Sequence, residues 1–407
     1  MNLRKITIHL LVLTLALLFL GSCCSDQPPS TQKLQVALYP YVPRPGQFEE
    51  VLKQQWNAMD TGWELDLVSW DCYGNDPHDS LDVFVYDGIF HAYFIDQGYL
   101  LPIHAYEIDQ LNDFEAYALE GCKRIPTDTM YYGLPQIGCT NIFYHHKDDA
   151  ALASANSLDE ILAVLGKASY DTVPPPSGAG LLMDMSGSTT NACLYLEASM
   201  DFNETYSWDP KLPASDSLQE AVVRNLIHLI RMGGARQVTY SADTAYQRAR
   251  WYNKGMGRAL VGFTEAMSQM PDILNDLSLK VMPLSDDAGY NLFYTDIVGI
   301  NRKVSDEKKK AAIKLANLLA SSNYIIQAFG TNDTLPNPQY LMPVRQSVFE
   351  ALGAQWPMYR KMDSIVTYSD PKPFRIGPDS REWLNKNKSA IREKIISQAA
   401  SMSDVGN

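Results

Sequence analysis

Residues 131–146 read YYGLPQIGCTNIFYHH, and this stretch follows a regular succession of strand and helix patterns. A β-rich run at 34–39 (LQVALY) is followed by apolar residues at helical spacing over 47–59. Alternating apolar residues at 65–70 and the run at 81–86 (LDVFVY) each predict a strand. Strands and helices that follow one another at this density predict an open α/β sheet.

The order of these elements resembles that of type II periplasmic solute-binding proteins, in which two lobes face each other across a ligand cleft. The Gly-Leu-Pro segment at 133–135 corresponds to the first crossover between the lobes, and residues 281–301 (VMPLSDDAGYNLFYTDIVGIN) fit the second. A helix is predicted next, over 305–324, with Ser305 as its N-cap. We therefore expect an α/β, two-lobed fold of this type, with two interlobe crossovers and the cleft between the lobes.

The length of the chain also predicts two domains. It has 407 residues, whereas a single hydrophobic core stops growing at roughly 250–300 residues. We assign 33–138 plus 291–345 to lobe I, and 139–290 plus 346–407 to lobe II.

The N-terminal residues resemble a bacterial lipoprotein signal. Two basic residues precede a nearly unbroken apolar run at 6–20, and the run ends in the sequence LGSC at 20–23. We expect a signal peptide over 1–22, a lipid-modified Cys23 and a flexible tether over 23–32. The protein would then be exported and lipid-anchored to a bacterial membrane, on the periplasmic face or the cell surface. An ordinary signal peptide or an uncleaved anchor is the alternative.

The charge of the chain argues against nucleic acid as a partner. The formal net charge is −13, and no Lys/Arg cluster offsets it locally. Such a surface repels phosphate backbones and suits a cationic ligand.

Four cysteines lie beyond the export signal, at Cys72, Cys122, Cys139 and Cys193. They show no CxxC spacing and do not cluster with histidines in the sequence, so a metal site is not expected. In an oxidising compartment they could form disulfides, and their spacing does not choose among the three possible pairings.

Four segments are expected to project into the cleft, because ligands bind beyond the strand ends of open α/β sheets. These segments are residues 39–41, 86–87, 138–141 and 293–296. Together they offer aromatic rings, carboxylates and the thiol of Cys139. Aromatic rings stack on planar heterocycles and attract cations, and carboxylates hydrogen-bond to amino and ring nitrogens.

Cys139 can act as a nucleophile only if a neighbour takes its proton, since a free thiol has a pKa of about 8.5. No motif supplies a histidine base. Glu265 is the candidate, because it stands alone among small and apolar residues at 261–267 (VGFTEAM). The residues alone leave two other interpretations open. A free cysteine is often a small buried hydrophobe, and a Glu at a helix start is favoured by the helix dipole.

Seven segments together resemble thiaminase I (thiamine pyridinylase), in the order and spacing of that family. They read VALYPYVP, LDVFVYD, DQGYLLP, GLPQIGCTN, GLLMDMSGSTT, GRALVGFTEAM and LFYTDIV. The resemblance extends from about residue 33 to residue 378. A solute-binding protein shares the architecture, but not the Cys of the first crossover together with the Glu of TEAM.

The resemblance implies a role for individual residues. Cys139 matches the nucleophile of the family, and Glu265 matches the acid/base residue beside it. Asp87 and Asp296 match acidic residues of the pyrimidine-binding cleft. The tyrosines that line the same cleft are matched by Tyr39, Tyr73, Tyr246 and Tyr294.

The implied activity is that of a transferase. An organic base or thiol displaces the thiazole of thiamine from the pyrimidine methylene, through a covalent intermediate on Cys139, and neither a cofactor nor a metal ion is required. The protein is expected to act as a monomer. The main alternative is a lipid-anchored thiamine-binding protein that captures solute for a transporter, and a hydrolase that uses water is another. The physiological nucleophile and the purpose of the cleavage are not encoded in these patterns.

Overall fold

Two main β-sheets, with helices packed around them, make up the part of the chain that the computed structural model describes. This part comprises residues 32–403 apart from three short segments, 242–245, 287–289 and 333–335. The predicted signal peptide, Cys23 and all but the last residue of the predicted tether lie outside it.

The strands are short and mostly buried. Within the described residues they are β1 (Gln32–Ala37), β2 (Trp63–Leu67), β3 (Val83–Asp87), β4 (Ile103–His104), β5 (Met130–Tyr131), β6 (Leu134–Cys139), β7 (Ile142–His146), β8 (Ser177–Leu182), β9 (Gly257–Gly262), β10 (Leu277–Val281), β11 (Leu292–Ile300) and β12 (Lys372–Pro373).

The α-helices alternate with these strands along most of the chain. Within the described residues they are α1 (Pro45–Ala58), α2 (His91–Asp96), α3 (Ala116–Gly121), α4 (Ala150–Ser154), α5 (Leu158–Leu165), α6 (Ser188–Phe202), α7 (Glu220–Gly233), α8 (Ala235–Thr239), α9 (Gln247–Asn253), α10 (Asp306–Leu319), α11 (Ser322–Phe329), α12 (Gln346–Gln355), α13 (Pro357–Tyr368) and α14 (Ser380–Ser403).

The larger sheet has the order β2, β1, β3, β11, and both β6 and β12 pair with β11. Its first three strands are parallel, while β11 runs antiparallel to β3 and β6. The smaller sheet has the order β10, β7, β9, β8, and only β8 and β9 are parallel in it. A separate short pair is formed by β4 and β5.

The chain passes between the two sheets where the GLPQIGCTN segment predicted it. β6 ends at Cys139 in the larger sheet, and β7 begins at Ile142 in the smaller one. The chain returns between β10 and β11, within the predicted second crossover. This arrangement confirms the predicted two-lobed α/β class. The exact lobe boundaries stay a prediction, and β12 joins the larger sheet from within the segment assigned to lobe II.

Helix α1 follows from its own sequence. Proline lies in its first turn, where the missing N–H has no intrahelical partner to lose. Phe48, Val51, Leu52 and Trp56 are buried, which is the three-and-four spacing of an amphipathic helix. The helix begins two residues before the predicted range of 47–59 and ends one residue before its end.

The single helix predicted over 305–324 is wrong in one respect, because two helices occupy this region. α10 ends at Leu319, and α11 begins at Ser322. Ser321 adopts extended backbone angles, and its side chain accepts a hydrogen bond from the amide of Tyr324, so it starts a new helix. Ser305 does occupy the N-cap of α10, but its side chain makes no capping hydrogen bond.

The long C-terminal helix α14 packs against α6 and α7 beside the smaller sheet, and it also touches α2. Among the described helices, none has the length and apolar character needed to cross a bilayer.

Candidate active site

Three adjacent strands of the larger sheet bring four reactive side chains onto one face. Tyr294 of β11 is paired with Cys139 at the end of β6, and Asp296 of β11 is paired with Asp87 at the end of β3. Paired residues point to the same face, as do residues two apart on a strand, and paired Cβ atoms lie about 4.5–5.5 Å apart. All four side chains are half-buried, as expected for the wall of a cleft.

Asp87 is held by two hydrogen-bond donors. The hydroxyl of Tyr73 donates to its Oδ2, and the amide of Ile89 donates to its Oδ1 over 3.0 Å. Tyr39 extends this series of hydrogen bonds, because its hydroxyl oxygen lies 3.4 Å from that of Tyr73. The structure therefore brings both predicted tyrosines to the predicted carboxylate.

The paired carboxyl groups do not ionise equally. Burial raises the pKa of Asp296 well above its usual range, and the neighbouring charges of Asp87 and Glu265 raise it further. Burial also raises the pKa of Asp87, but the donors Ile89 and Tyr73 stabilise its charged form. Asp296 therefore holds a proton to higher pH than Asp87 does, and in its protonated form it can donate a hydrogen bond.

Glu265 lies near Cys139 but follows a strand of the smaller sheet. β9 ends at Gly262, which is paired with Ile142 at the start of β7, and Glu265 follows in a short 3₁₀ helix. Cys139 lies three residues before Ile142, and Glu265 lies three residues after Gly262, so both stand at the same end of this antiparallel pair. Only 8% of Glu265 is exposed, and burial raises the pKa of its carboxyl group to about 7.

The thiol of Cys139 is neutral at rest. Burial raises its pKa well above the ordinary value, and among the nearby charges Glu265 contributes most, followed by Asp296 and Asp87. Cys139 is half-buried, whereas Cys72, Cys122 and Cys193 are buried. All four are free thiols in the structure, so none of the possible disulfides is formed.

Tyr246 and Tyr294 complete the set that the sequence predicted. Tyr246 precedes α9 with a left-handed backbone (φ of 60°), a conformation that non-glycine residues rarely adopt. Burial raises the pKa of its hydroxyl, and the ionisable neighbours Glu265 and Cys139 add to this effect. The ring of Tyr294 packs against Phe374, with ring centroids 4.5 Å apart, and edge-on against Phe263 at 6.3 Å.

One buried acid at the site was not predicted. Glu197 on α6 is 4% exposed, and its Oε2 accepts a hydrogen bond from Asn141 over 2.8 Å. The sequence signal was a single Glu inside the otherwise apolar run ACLYLEASM at 192–200. A helix with one acid among apolar residues indicates that the acid has a buried partner.

The donor set suits an organic ligand. Among the described residues, no three His, Cys, Asp or Glu side chains are placed to hold a metal ion. The arrangement offers a thiol, a carboxyl group of intermediate pKa beside it, two paired carboxyl groups of unequal pKa, and several tyrosine rings. Such a set can bind a planar heterocycle and attack it.

Comparisons with known proteins relate the chain to one family. The family profile described as Thiaminase-1 domain matches residues 140–285. The chain is 39% identical to Thiaminase-1 of Paenibacillus thiaminolyticus over 379 residues, which cover 92% of this chain and 91% of that protein. The solved structure of Clostridium botulinum thiaminase I in complex with thiamin is 38% identical, with a TM-score of 0.86, and covers 89% of this chain and 99% of that one.

A maltotriose-binding protein of Thermus thermophilus matches with a TM-score of 0.59 at 13% identity, over 91% of this chain and 99% of that one. That likeness concerns the fold alone, and it agrees with the predicted solute-binding-protein architecture. The relatives with high identity are enzymes, so the comparisons favour the predicted transferase over a solute-capture protein. With 39% identity to a curated relative over 92% of its length, the chain belongs to the thiaminase I family.

Proposed function

We propose that the protein cleaves thiamine with Cys139 as the nucleophile and Glu265 as the group that takes the thiol proton. The observation that carries this proposal is the placement of two groups at the connection between the two sheets. One is the half-buried thiol of Cys139, and the other is the buried carboxyl group of Glu265, whose pKa is about 7. A base with a pKa near the working pH is the most effective kind.

The first half of the reaction forms a bond to sulfur and releases the thiazole. Glu265 takes the proton of Cys139, and the thiolate adds to the electron-poor pyrimidine ring. The bond between the methylene carbon and the thiazolium nitrogen then breaks, and its electron pair leaves with a neutral thiazole. The pyrimidine stays attached to Cys139.

The second half transfers the pyrimidine to an acceptor. An organic base, or a thiol that has lost its proton to solvent, attacks the methylene carbon, the bond to sulfur breaks, and Cys139 leaves as a thiolate that recovers its proton from Glu265. Two easier steps thereby replace one difficult displacement.

The paired carboxyl groups and the tyrosines hold the pyrimidine. Asp296, in its protonated form, donates a hydrogen bond to the ring and makes it a better electrophile. Asp87 accepts from the amino group. The rings of Tyr39, Tyr73, Tyr246 and Tyr294 line the ligand and attract its positive charge.

The proposal extends to the setting of the enzyme. It is exported and anchored to a bacterial membrane through lipid on Cys23, with no other membrane contact, and it works as a monomer on thiamine and a nucleophilic co-substrate. The lipobox at 20–23 supports the anchor. Sedimentation of the purified protein checks the monomer, and a stable dimer would contradict it.

The direct test is mass-resolved chromatography of thiamine incubated with the protein, with and without pyridine or a thiol. We expect free thiazole and an adduct of the pyrimidine with the nucleophile. Cys139→Ser should lower turnover at least about 1,000-fold, because the attacking thiolate is lost. Cys122→Ala is the matched control, since that thiol only donates to the carbonyl of Ala118 and should be dispensable.

Two results would contradict the proposal. Formation of hydroxymethyl-pyrimidine with no dependence on added nucleophile would indicate a hydrolase. Intact thiamine in every reaction, despite tight binding by calorimetry, would indicate a capture protein.

A further inference from the structure

Glu197 is a buried carboxyl group that the proposed reaction does not use. It lies on α6, which packs against α7 and α14 beside the smaller sheet. Its carboxyl group accepts hydrogen bonds from the side chain of Asn141 and from the hydroxyl of Tyr294. Glu197 is only 4% exposed and accepts from two donors, which indicates that it fixes the positions of the side chains that donate to it.

Both donors are neighbours of Cys139 in the fold. Asn141 follows Cys139 by two residues, in the short connection between the sheets. Tyr294 stands directly opposite Cys139 in the pairing of β6 with β11. A single side chain on α6 therefore holds both neighbours of the nucleophile.

Glu197 also lines a cavity of about 220 Å³ between the two sheet connections. Thr140, Asn141, Asp201 and Tyr290 are among its other lining residues, so its walls are largely polar. A polar cavity of this size has room for several water molecules, which can exchange a proton with the carboxyl group.

The groups around Glu197 are mainly acidic. Burial raises the pKa of Glu197, the hydrogen bonds from Tyr294 and Asn141 lower it, and Asp201 raises it, and the resulting pKa is about 8. The titratable or charged side chains near it on α6, β6, β11 and α14 are Cys193, Asp201, Cys139, Tyr294 and Lys388, the last of which acts on Cys193.

We propose that Glu197 is a positioning residue, which holds Tyr294 and Asn141 in place around the Cys139 thiol and carries no charge while the thiol reacts. This inference rests on the proposed function. Its physical basis is that an ionised Glu197 raises the pKa of Cys139, whereas a neutral one does not. Glu197 therefore supports the thiolate only below the pH at which it ionises.

Two substitutions separate positioning from charge. Glu197→Leu keeps the volume and removes both hydrogen bonds, and we expect kcat to fall about 30-fold or more while thiamine affinity changes little. Glu197→Gln keeps hydrogen-bonding capacity without ionising, and we expect kcat at pH 7 within about fivefold of the wild type. Because Glu197 ionises near pH 8, wild-type activity should decline above that pH, and the Gln variant should lack this decline.

Asp201→Asn is the matched control. Asp201 lies one turn further along α6 and lines the same cavity, but it holds the amide of Leu284 at 3.0 Å rather than Tyr294. We expect this variant to keep the wild-type kcat at pH 7 and to keep the decline at alkaline pH, shifted slightly downward, because loss of the Asp201 charge lowers the pKa of Glu197. Thermal unfolding of all variants shows whether any loss of activity comes from loss of the fold.

Alkylation of Cys139 by iodoacetamide, followed by peptide mass spectrometry, tests the inference without turnover. At pH 9 the Gln variant should be alkylated about threefold faster than the wild type, because the negative charge beside the thiol is gone. A folded Leu variant with wild-type kcat would overturn the inference, as would a Gln variant with unchanged pH profile and alkylation rate. A wild-type protein that cleaves no thiamine would instead refute the proposed function, and the alkylation result would still decide the role of Glu197.

Discussion

At the scale of single residues, the site joins a thiol that is neutral at rest to a carboxyl group that is half-ionised near neutral pH. Burial and four nearby acids keep the proton on Cys139, so its activation requires a base within reach. Glu265 meets this need because burial brings its pKa to about 7. The same burial has a cost in stability, since a charged Glu265 is disfavoured in the folded protein.

Replacing Glu265 with Gln should separate activity from stability. We expect kcat/KM to fall by about 10²–10⁴, the usual contribution of a general base. The wild-type rate should rise as pH increases through about 7, where Glu265 ionises, and the variant should lack this rise.

The same substitution should stabilise the folded protein although it lowers activity. A folded-state pKa of about 7, against an ordinary 4.5, means that the wild type loses about 3 kcal/mol of stability as pH rises between these values. Glu265→Gln should therefore raise Tm at pH 8 and leave it nearly unchanged at pH 4.5, as measured by calorimetry. Equal Tm values at pH 8 would show that the carboxyl group is not desolvated as described.

Tyr73 offers a second test at this scale. Tyr73→Phe removes the donor to Asp87, so the pKa of that carboxyl group should rise and thiamine should bind about tenfold more weakly, since hydrogen bonds to charged groups contribute about 1.5–3 kcal/mol. Calorimetric titration in a Cys139→Ser background measures this without turnover.

Tyr41→Phe is the control for that experiment. Its hydroxyl donates to Asp71 on an exposed part of the surface, so affinity should stay within about twofold of the parent. A similar loss of thiamine affinity in both variants would mean that the effect comes from the packing of the Tyr41 ring against the Tyr73 ring rather than from the hydrogen bond to Asp87.

At the scale of secondary-structure elements, the break between α10 and α11 depends on one side chain. Ser321 caps α11 through the amide of Tyr324, and it also donates to the carbonyl of Leu318 over 2.8 Å. The apolar pattern over 305–324 continues through the break, so periodicity alone predicts one helix. Two helices form because a short polar side chain hydrogen-bonds to the backbone on both sides of the break.

Ser321→Ala should lower the free energy of unfolding by about 1 kcal/mol, the usual effect of removing an N-cap. Urea denaturation followed by circular dichroism measures this. Ser305→Ala is the matched control, because Ser305 occupies an N-cap without making the hydrogen bond, and we expect no more than a small change. If both substitutions cost the same, capping is not the source of the stability.

At the scale of the whole molecule, the site exists only where the two sheets meet. Cys139, Asp87, Tyr294 and Asp296 come from the larger sheet, while Glu265 comes from the smaller one. The thiol and its base are therefore held by different sheets, which meet at a connection of two residues between β6 and β7. Any change in the relative position of the sheets alters the distance over which the proton moves.

The proposed membrane anchor also belongs to this scale. In a bacterial host, Cys23→Ala in the full-length chain should move the protein from the membrane fraction to the soluble fraction, without changing the kcat of the purified enzyme. Cys24→Ala is the neighbouring control and should leave the protein in the membrane fraction. Membrane association of the Cys23→Ala protein would contradict anchoring through lipid on Cys23.

The amino-acid sequence alone was sufficient for the fold class and the family. Local patterns determine such features: the apolar spacing of α1, the strand at LDVFVY and the Gly-Leu-Pro segment each follow from residues close together in the chain. The family resemblance also selected Cys139 and Glu265, although no local pattern relates two residues that lie so far apart in the chain.

Only the tertiary structure decided how these residues act together. The pairing of β6, β3 and β11 places Asp87 beside Asp296, and the burial that follows raises the pKa of Asp296 well above its usual range. The hydrogen bonds of Glu197 likewise join a helix to two strands that are distant in the chain. Proton affinities and contacts of this kind depend on desolvation and on neighbours across the sheets, which arise only when the chain has folded.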